Sequence, residues 1–228
     1  MSETQVRTKR RSAQLPITYV VAVVPVAAAL NIVGGYINTA LRLPTFLDMI
    51  GTMVAAILLG PWWGAVVGVI TNVVSSFLTG PITLPFAVCN VIGALVWGYA
   101  NQWGWMKKQW SFFLVNMLAG LMVTLFAVPI YVFLFGGATG HFADVMTAAF
   151  LGMGQHLVVS VFSSNVLVNL ADKIISGYVG LAIIEALPAN LTERAQLPKA
   201  TGLKRIIIPL AGVLIGVLVV LLFLAIGK

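Results

Sequence analysis

The stretch ITYVVAVVPVAAALNIVGGY, residues 17–36, decides the fold class of this chain. It carries no charged side chain over 20 residues, which is about the length that an α-helix needs to cross the hydrocarbon core of a bilayer. Arg7, Lys9, Arg10 and Arg11 precede it, and such a cluster is typical of a segment end held on the cytoplasmic side. The stretch therefore predicts a membrane-spanning helix that starts inside the cell.

The composition extends this prediction to the whole chain. Of the 228 residues, 60% are hydrophobic and 8% are charged, whereas soluble domains carry about 25% charged residues. A water-soluble fold of this size could not bury so much apolar surface. The net charge of +7 is attributed to membrane topology, because no basic face with interleaved aromatic residues indicates nucleic-acid binding. We therefore predict an all-α integral membrane protein with one membrane domain.

Apolar runs separated by Gly, Pro and Trp clusters divide the chain into predicted spans. The seven spans are about 17–36, 45–59, 65–78, 84–100, 111–135, 172–187 and 206–226. Residues 144–170 are apolar enough to span but contain several polar side chains. Because polar groups that face lipid are costly, we expect this segment to be helical and packed inward, either re-entrant or lying at the outer surface.

These spans predict four parts of the chain. Residues 1–16 are a basic cytoplasmic N-terminus, 17–187 a membrane-embedded bundle, 188–203 a cytoplasmic linker and 204–228 an additional C-terminal transmembrane helix. If 144–170 does not cross, ten basic residues lie on the cytoplasmic side and three outside; if it crosses, the distribution is eight to five. The positive-inside rule favours the first arrangement.

Catalytic signatures are missing from the sequence. We find no GxSxG, HExxH, Walker or CxxC motif. His141 and His156 are not at metal-ligand spacing, and a single cysteine, Cys89, excludes an intramolecular disulfide. The sequence therefore predicts a protein that is not an enzyme and that has no intrinsic cofactor and no metal site.

Polar side chains on the predicted outer side indicate a ligand pocket, because they come from different helices at similar depth. Asp48 is an intramembrane carboxylate that must be paired, hydrated or protonated, and Arg42 could pair with it, so a structural ion pair and a ligand contact both remain open. Interhelical hydrogen bonding is likewise an alternative for every candidate. The candidate substrate-binding residues are Arg42, Asp48, Asn90, Tyr131, Gln155, His156, Ser164 and Asn165.

Small residues recur four positions apart on the second and third spans, and alanines cluster on the first. Such faces let helices approach closely in lipid, either inside the bundle or against a partner membrane protein. The candidate partner-docking residues are Ala22, Ala27, Ala28, Ala29, Gly51, Ala55, Gly64 and Gly68.

Two stretches carry a family resemblance. Residues 46–72, with FLDMIGT followed by LGPWWGA and Thr71-Asn72, and the later run FGGATG at 135–140 that leads to Asp172-Lys173, resemble the S components of energy-coupling factor (ECF) transporters. The resemblance covers about residues 15–188. It implies that residues 17–187 form a six-helix, S-component-like bundle that binds the substrate, to which this chain adds an extra C-terminal transmembrane helix.

The resemblance also implies a function. S components bind B-group vitamins or related micronutrients and dock on an ECF module of one membrane scaffold subunit and two ATPase subunits, which use the ATP. Their docking face is a small-residue motif on the first helix; here Val26 follows Ala22 at four residues, so the strict alanine spacing is absent. The alternatives are a ligand-sensing membrane protein and a self-sufficient small-molecule carrier.

Overall fold

The computed structural model describes residues 16–226, with only the backbone of residues 220 and 222–226. Within that range the chain is helical and contains no strand. The helices are α1 (Ile17–Leu41), α2 (Ile50–Leu58), α3 (Pro61–Thr79), α4 (Ala87–Gln102), α5 (Gln109–Pro129), α6 (Ala143–Gly152), α7 (Leu157–Ala186) and α8 (Lys204–Ile226). Short helical turns occupy Pro81–Thr83, Ile130–Leu134 and Ala189–Leu191.

In the part of the chain that the structure describes, five helical segments are long and apolar enough to cross a membrane. They are Ile17–Leu41, Pro61–Thr79, Pro81–Gln102, Gln109–Leu134 and Leu157–Ala186. The predicted fold class, an all-α integral membrane protein, is confirmed.

Helix α2 is a nine-residue helix whose residues are all buried. It packs against α1, α3, α4 and α7, and small residues make this close packing possible. A Cβ added to Gly51 would lie 1.9 Å from the carbonyl oxygen of Ala27, and one added to Gly64 would lie 2.6 Å from the Cβ of Ala56. Either clash would push a neighbouring helix away from α2.

The small residues predicted to dock a partner therefore separate into two groups. Six of them are buried inside the bundle, namely Ala27, Ala28, Gly51, Ala55, Gly64 and Gly68. Ala22 and Ala29 are exposed on α1. Internal packing, the alternative considered for these positions, accounts for the buried group.

Residues 144–170 are largely helical, and Ser160, Ser164, Asn165 and Asn169 are buried as predicted. The expectation of a separate re-entrant or surface-lying segment before a span that begins at Asp172 is wrong. The segment contains the short helix α6 and, after a turn, the first half of α7, a continuous helix of 30 residues that begins at Leu157 and not at Asp172. The polar side chains do not interrupt α7 because they bond within it: Asn165 donates to the carbonyl of Val161, and Asn169 donates to that of Asn165. Such bonds to the preceding turn let a polar residue remain inside an apolar helix.

The 188–203 segment lies at the same end of the bundle as the start of α1. The hydroxyl of Tyr19 donates to the carbonyl of Leu191 (2.7 Å). The side chain of Asn101, at the end of α4, donates to the carbonyl of Arg194 (3.0 Å) and accepts from the N–H of Gln196 (2.7 Å). Helix α7 thus returns the chain to the end from which α1 starts, and α8 then packs along α7.

Candidate functional site

A cavity of about 630 Å³ lies at the opposite end of the bundle, where α1 and α3 end. Small-molecule sites in proteins typically have volumes of about 300–1,000 Å³. Its wall includes residues from α1, the 42–49 connection, α3, α4, α5, the 135–142 loop, α6 and α7. The cavity is therefore a single site built by most of the bundle.

Four of the predicted substrate-binding residues line this cavity. They are Arg42, Asp48, Asn90 and Tyr131. Arg42 is exposed at the C-terminal end of α1, while Asn90 and Tyr131 are buried. Arg42 and Asp48 do not form the ion pair that was one of the two alternatives. The one salt bridge among the described residues joins Lys173 to Asp172.

The other four predicted residues lie away from the cavity wall. Gln155 and His156 are exposed in the turn between α6 and α7. The Ser164 hydroxyl lies 2.6 Å from the Thr147 hydroxyl and joins α7 to α6. Asn165 bonds within α7. These four residues were predicted to lie at the site because residues 144–170 were expected to form one outer segment.

A chain of hydrogen bonds fixes the position of Asn90. Its Nδ2 donates to the Asp48 carboxylate (3.4 Å), and its Oδ1 accepts from the Thr52 hydroxyl (2.9 Å). The Thr52 hydroxyl in turn accepts from Asn31 Nδ2 (2.8 Å). Asn31 also accepts the N–H groups of Gly51 (2.6 Å) and Thr52 (3.3 Å), so one α1 side chain satisfies the first turn of α2.

Asp172 and Lys173 form a buried ion pair beside the cavity, and the sequence analysis did not select either as a site residue. Both are at most 1% exposed, and Lys173 lines the cavity. The Asp172 carboxylate accepts the N–H groups of Phe46 (2.9 Å) and Leu47 (2.8 Å). Ionisable residues within an apolar helix are rare and usually functional, and this signal could have identified the pair.

The same carboxylate stabilises an unusual backbone. Leu47 has a φ of 56°, in the left-handed region that non-glycine residues seldom adopt. The bonds from Phe46 and Leu47 to Asp172 hold the connection in this conformation, and Asp48 follows directly. Asp172 thus positions Asp48 at the cavity wall.

Aromatic rings form the remaining wall. The ring of Phe46 stacks on His141, with centroids 4.6 Å apart and planes at 25°. Phe86 meets Tyr131 at 5.2 Å in an edge-on arrangement. Tyr131 lies in the π-helical turn that follows Pro129, a type of widening that is frequent at functional sites.

His141 is a second cavity residue that the sequence analysis missed, because a lone histidine in a glycine-rich loop has no distinguishing neighbours. Its Nδ1 accepts the N–H of Ala143 (3.1 Å), and its Nε2 lies 3.0 Å from Asn38 Nδ2. Burial lowers the pKa of the His141 imidazole, so the ring is neutral at pH 7. Asp144 holds the adjoining loop by accepting the N–H groups of Thr139 (2.8 Å) and Gly140 (2.7 Å).

Comparison with known proteins gives one family. The family described as the substrate-specific component of ECF transporters matches residues 20–193, well over half of the chain. The matched region includes all the cavity-lining residues and excludes α8. No curated protein and no solved structure matched the chain.

Proposed function

Because the chain belongs to the family of substrate-specific components of ECF transporters, we propose that it captures a B-group vitamin or related micronutrient for ATP-driven import. The observation that carries this proposal is the cavity of about 630 Å³ inside the family-matched region. Its wall combines aromatic rings with amides and charged groups, which suits a small polar ring compound. The chain changes no bond in its substrate and holds it for transfer.

The partner in this proposal is an ECF module with one membrane scaffold subunit and two ATPase subunits. The chain itself has no phosphate-binding loop, so ATP is hydrolysed by the partner. The cavity faces outward before docking, and the 188–203 segment faces the cytoplasm.

Helix α1 offers the docking surface in this proposal. One face of α1 carries five exposed residues, spaced alternately four and three positions apart. They are Ala22, Val26, Ala29, Val33 and Tyr36. The opposite side of α1 contacts α2 and α3. We call these five residues the α1 stripe; small side chains within it let a partner helix approach closely.

Replacing Ala29 with Trp should abolish co-purification of the ECF module while ligand binding by the isolated chain is retained. The indole would hold a partner helix away from the α1 stripe without disturbing the bundle, since Ala29 is exposed. Pull-down of the tagged chain followed by immunoblotting of an ATPase subunit measures this. The matched control is Ala211→Trp, at an exposed position on α8, which should leave the yield of the module unchanged.

The same preparation separates the alternative functions. Normal co-purification by Ala29→Trp would place docking elsewhere. A self-sufficient carrier would accumulate substrate in proteoliposomes without the module. A ligand sensor would bind substrate but would show no ATP-dependent uptake, with or without the module. We expect uptake only when the module and ATP are both present.

The orientation is tested by cysteine labelling in a Cys89→Ala background. A cysteine replacing Ala189, which is exposed in the turn after α7, should resist an impermeant thiol reagent in intact cells and react after permeabilisation. A cysteine replacing the exposed Ala138, in the loop at the cavity end, should react in intact cells. Labelling at position 189 together with protection at position 138 would show that the chain has the opposite orientation.

A further inference from the structure

The charged groups of the cavity are unevenly paired. Arg42, Asp48 and Lys173 line it. Lys173 is paired with Asp172, which also receives two backbone N–H groups. Arg42 is exposed at the end of α1. Within residues 16–226, the Asp48 carboxylate therefore has no cation in salt-bridge contact.

The hydrogen bonds to Asp48 leave acceptor capacity unused. Its one side-chain partner in the described part of the chain is Asn90 Nδ2 at 3.4 Å, the long end of the hydrogen-bond range. An ionised carboxylate accepts through two oxygens and donates nothing. In a site within the membrane region, such a group must be paired, hydrated or protonated, and a ligand in the cavity can supply the donors that pair with it.

The aromatic residues on the cavity wall restrict the shape of that ligand. Phe46 and His141 form a stacked pair on the cavity wall, and Phe86 and Tyr131 form an edge-on pair. Aromatic side chains bind flat rings by stacking or edge contacts, and their faces attract cations. The neutral His141 ring adds no positive charge that would compete for Asp48.

We infer that Asp48 selects an amino-substituted nitrogen heterocycle, whose ring nitrogen and amino group present adjacent donors to the carboxylate. This inference rests on the proposed function and deepens it by naming the substrate class. Such an amidine-like edge matches the two carboxylate oxygens when the ring nitrogen is protonated, in the way that a guanidinium does. Arg42, at the mouth, remains available to an anionic substituent at the other end of the ligand.

The test is a binding panel on the purified chain in detergent, measured by thermal stabilisation and by titration calorimetry. Thiamine and folate carry an amino group beside a ring nitrogen, whereas riboflavin, biotin and pantothenate do not. We expect the compounds that bind to come from the first group. Asp48→Asn should weaken their binding by about 10- to 150-fold, which corresponds to the loss of a charge-assisted hydrogen bond.

The matched control is Glu193→Gln, which removes an exposed carboxylate from the 188–203 segment and should leave every dissociation constant unchanged. A preference for riboflavin, biotin or pantothenate would overturn the inference and leave the proposed function standing, as would unchanged thiamine or folate binding by a folded Asp48→Asn variant. If that variant does not fold, the selectivity of the wild-type chain among the five compounds still tests the inference. Binding of no compound, with no small molecule detected by mass spectrometry in the purified protein, would contradict the proposed function itself.

Discussion

An Asn31→Leu variant is expected to lose about 2–6 kcal/mol of unfolding free energy, since each of two buried N–H groups left without an acceptor costs about 1–3 kcal/mol. Those groups belong to Gly51 and Thr52, and both now bond to Asn31 Oδ1. Helix α2 has nine residues, all buried, so water cannot replace the lost acceptor. The leucine side chain offers no substitute.

Denaturation in a fixed detergent, followed by helical circular dichroism or the exposure of Cys89, measures this loss. The matched control is Asn169→Leu: in the described residues the Asn169 side chain donates only to a carbonyl of its own helix (3.0 Å). That change removes one bond and leaves no N–H group of another element unsatisfied, so it should cost about 1 kcal/mol. Equal losses in the two variants would show that Asn31 is not the main support of the first turn of α2.

The second large effect is expected at the buried ion pair of Asp172 and Lys173. Removing one partner of such a pair leaves an uncompensated charge and typically costs about 3–5 kcal/mol. Asp172→Asn should therefore destabilise the bundle through Lys173, and Lys173→Met should do so through Asp172. Both residues are at most 1% exposed, so solvent does not screen the remaining charge.

The double variant Asp172→Asn/Lys173→Met should be more stable than the sum of the single losses predicts, because no unpaired charge remains and the introduced amide oxygen can still accept from Phe46 and Leu47. The non-additive part, obtained from a double-mutant cycle of unfolding free energies, should be about 2 kcal/mol or more. Lys199→Met is the control, at an exposed lysine of the 188–203 segment, and should change stability by less than about 0.5 kcal/mol. Strict additivity would contradict the coupling.

The candidate site was only partly predictable from the sequence. Asp48 was recognisable because a carboxylate in an apolar run is costly wherever the run folds. Asp172 and Lys173, adjacent ionisable residues in an apolar run, were recognisable on the same ground. Their role in holding the 42–49 connection and the place of His141 depend on neighbours that are distant along the chain: Asp172 bonds to Phe46 and Leu47, and His141 stacks on Phe46. A local sequence pattern does not reveal contacts between residues that are distant along the chain.

Residues 144–170 illustrate the same limit in the fold. Their polarity correctly predicted that Asn165 and Asn169 are buried, and both donate to carbonyls of α7 itself, but it did not indicate that the segment continues into one helix of 30 residues. Whether a polar side chain faces lipid or the interior depends on which helices surround it, and most of α7 is enclosed by α2, α5, α6 and α8.

The sequence by itself determined the fold class, the first five predicted spans to within several residues and the position of the Gly60-Pro61 turn between α2 and α3. These follow from hydropathy and from backbone restrictions at Gly and Pro, which act over a few residues. The tertiary structure alone decided that Ala28 and Gly51 face inward while Ala29 faces outward. It also decided that, within residues 16–226, no cation lies within salt-bridge distance of Asp48, whereas Lys173 pairs with Asp172. Burial and pairing are properties of how separate helices meet, and lipid, being as apolar as a leucine side chain, gives no hydrophobic signal that tells an inner face from an outer one.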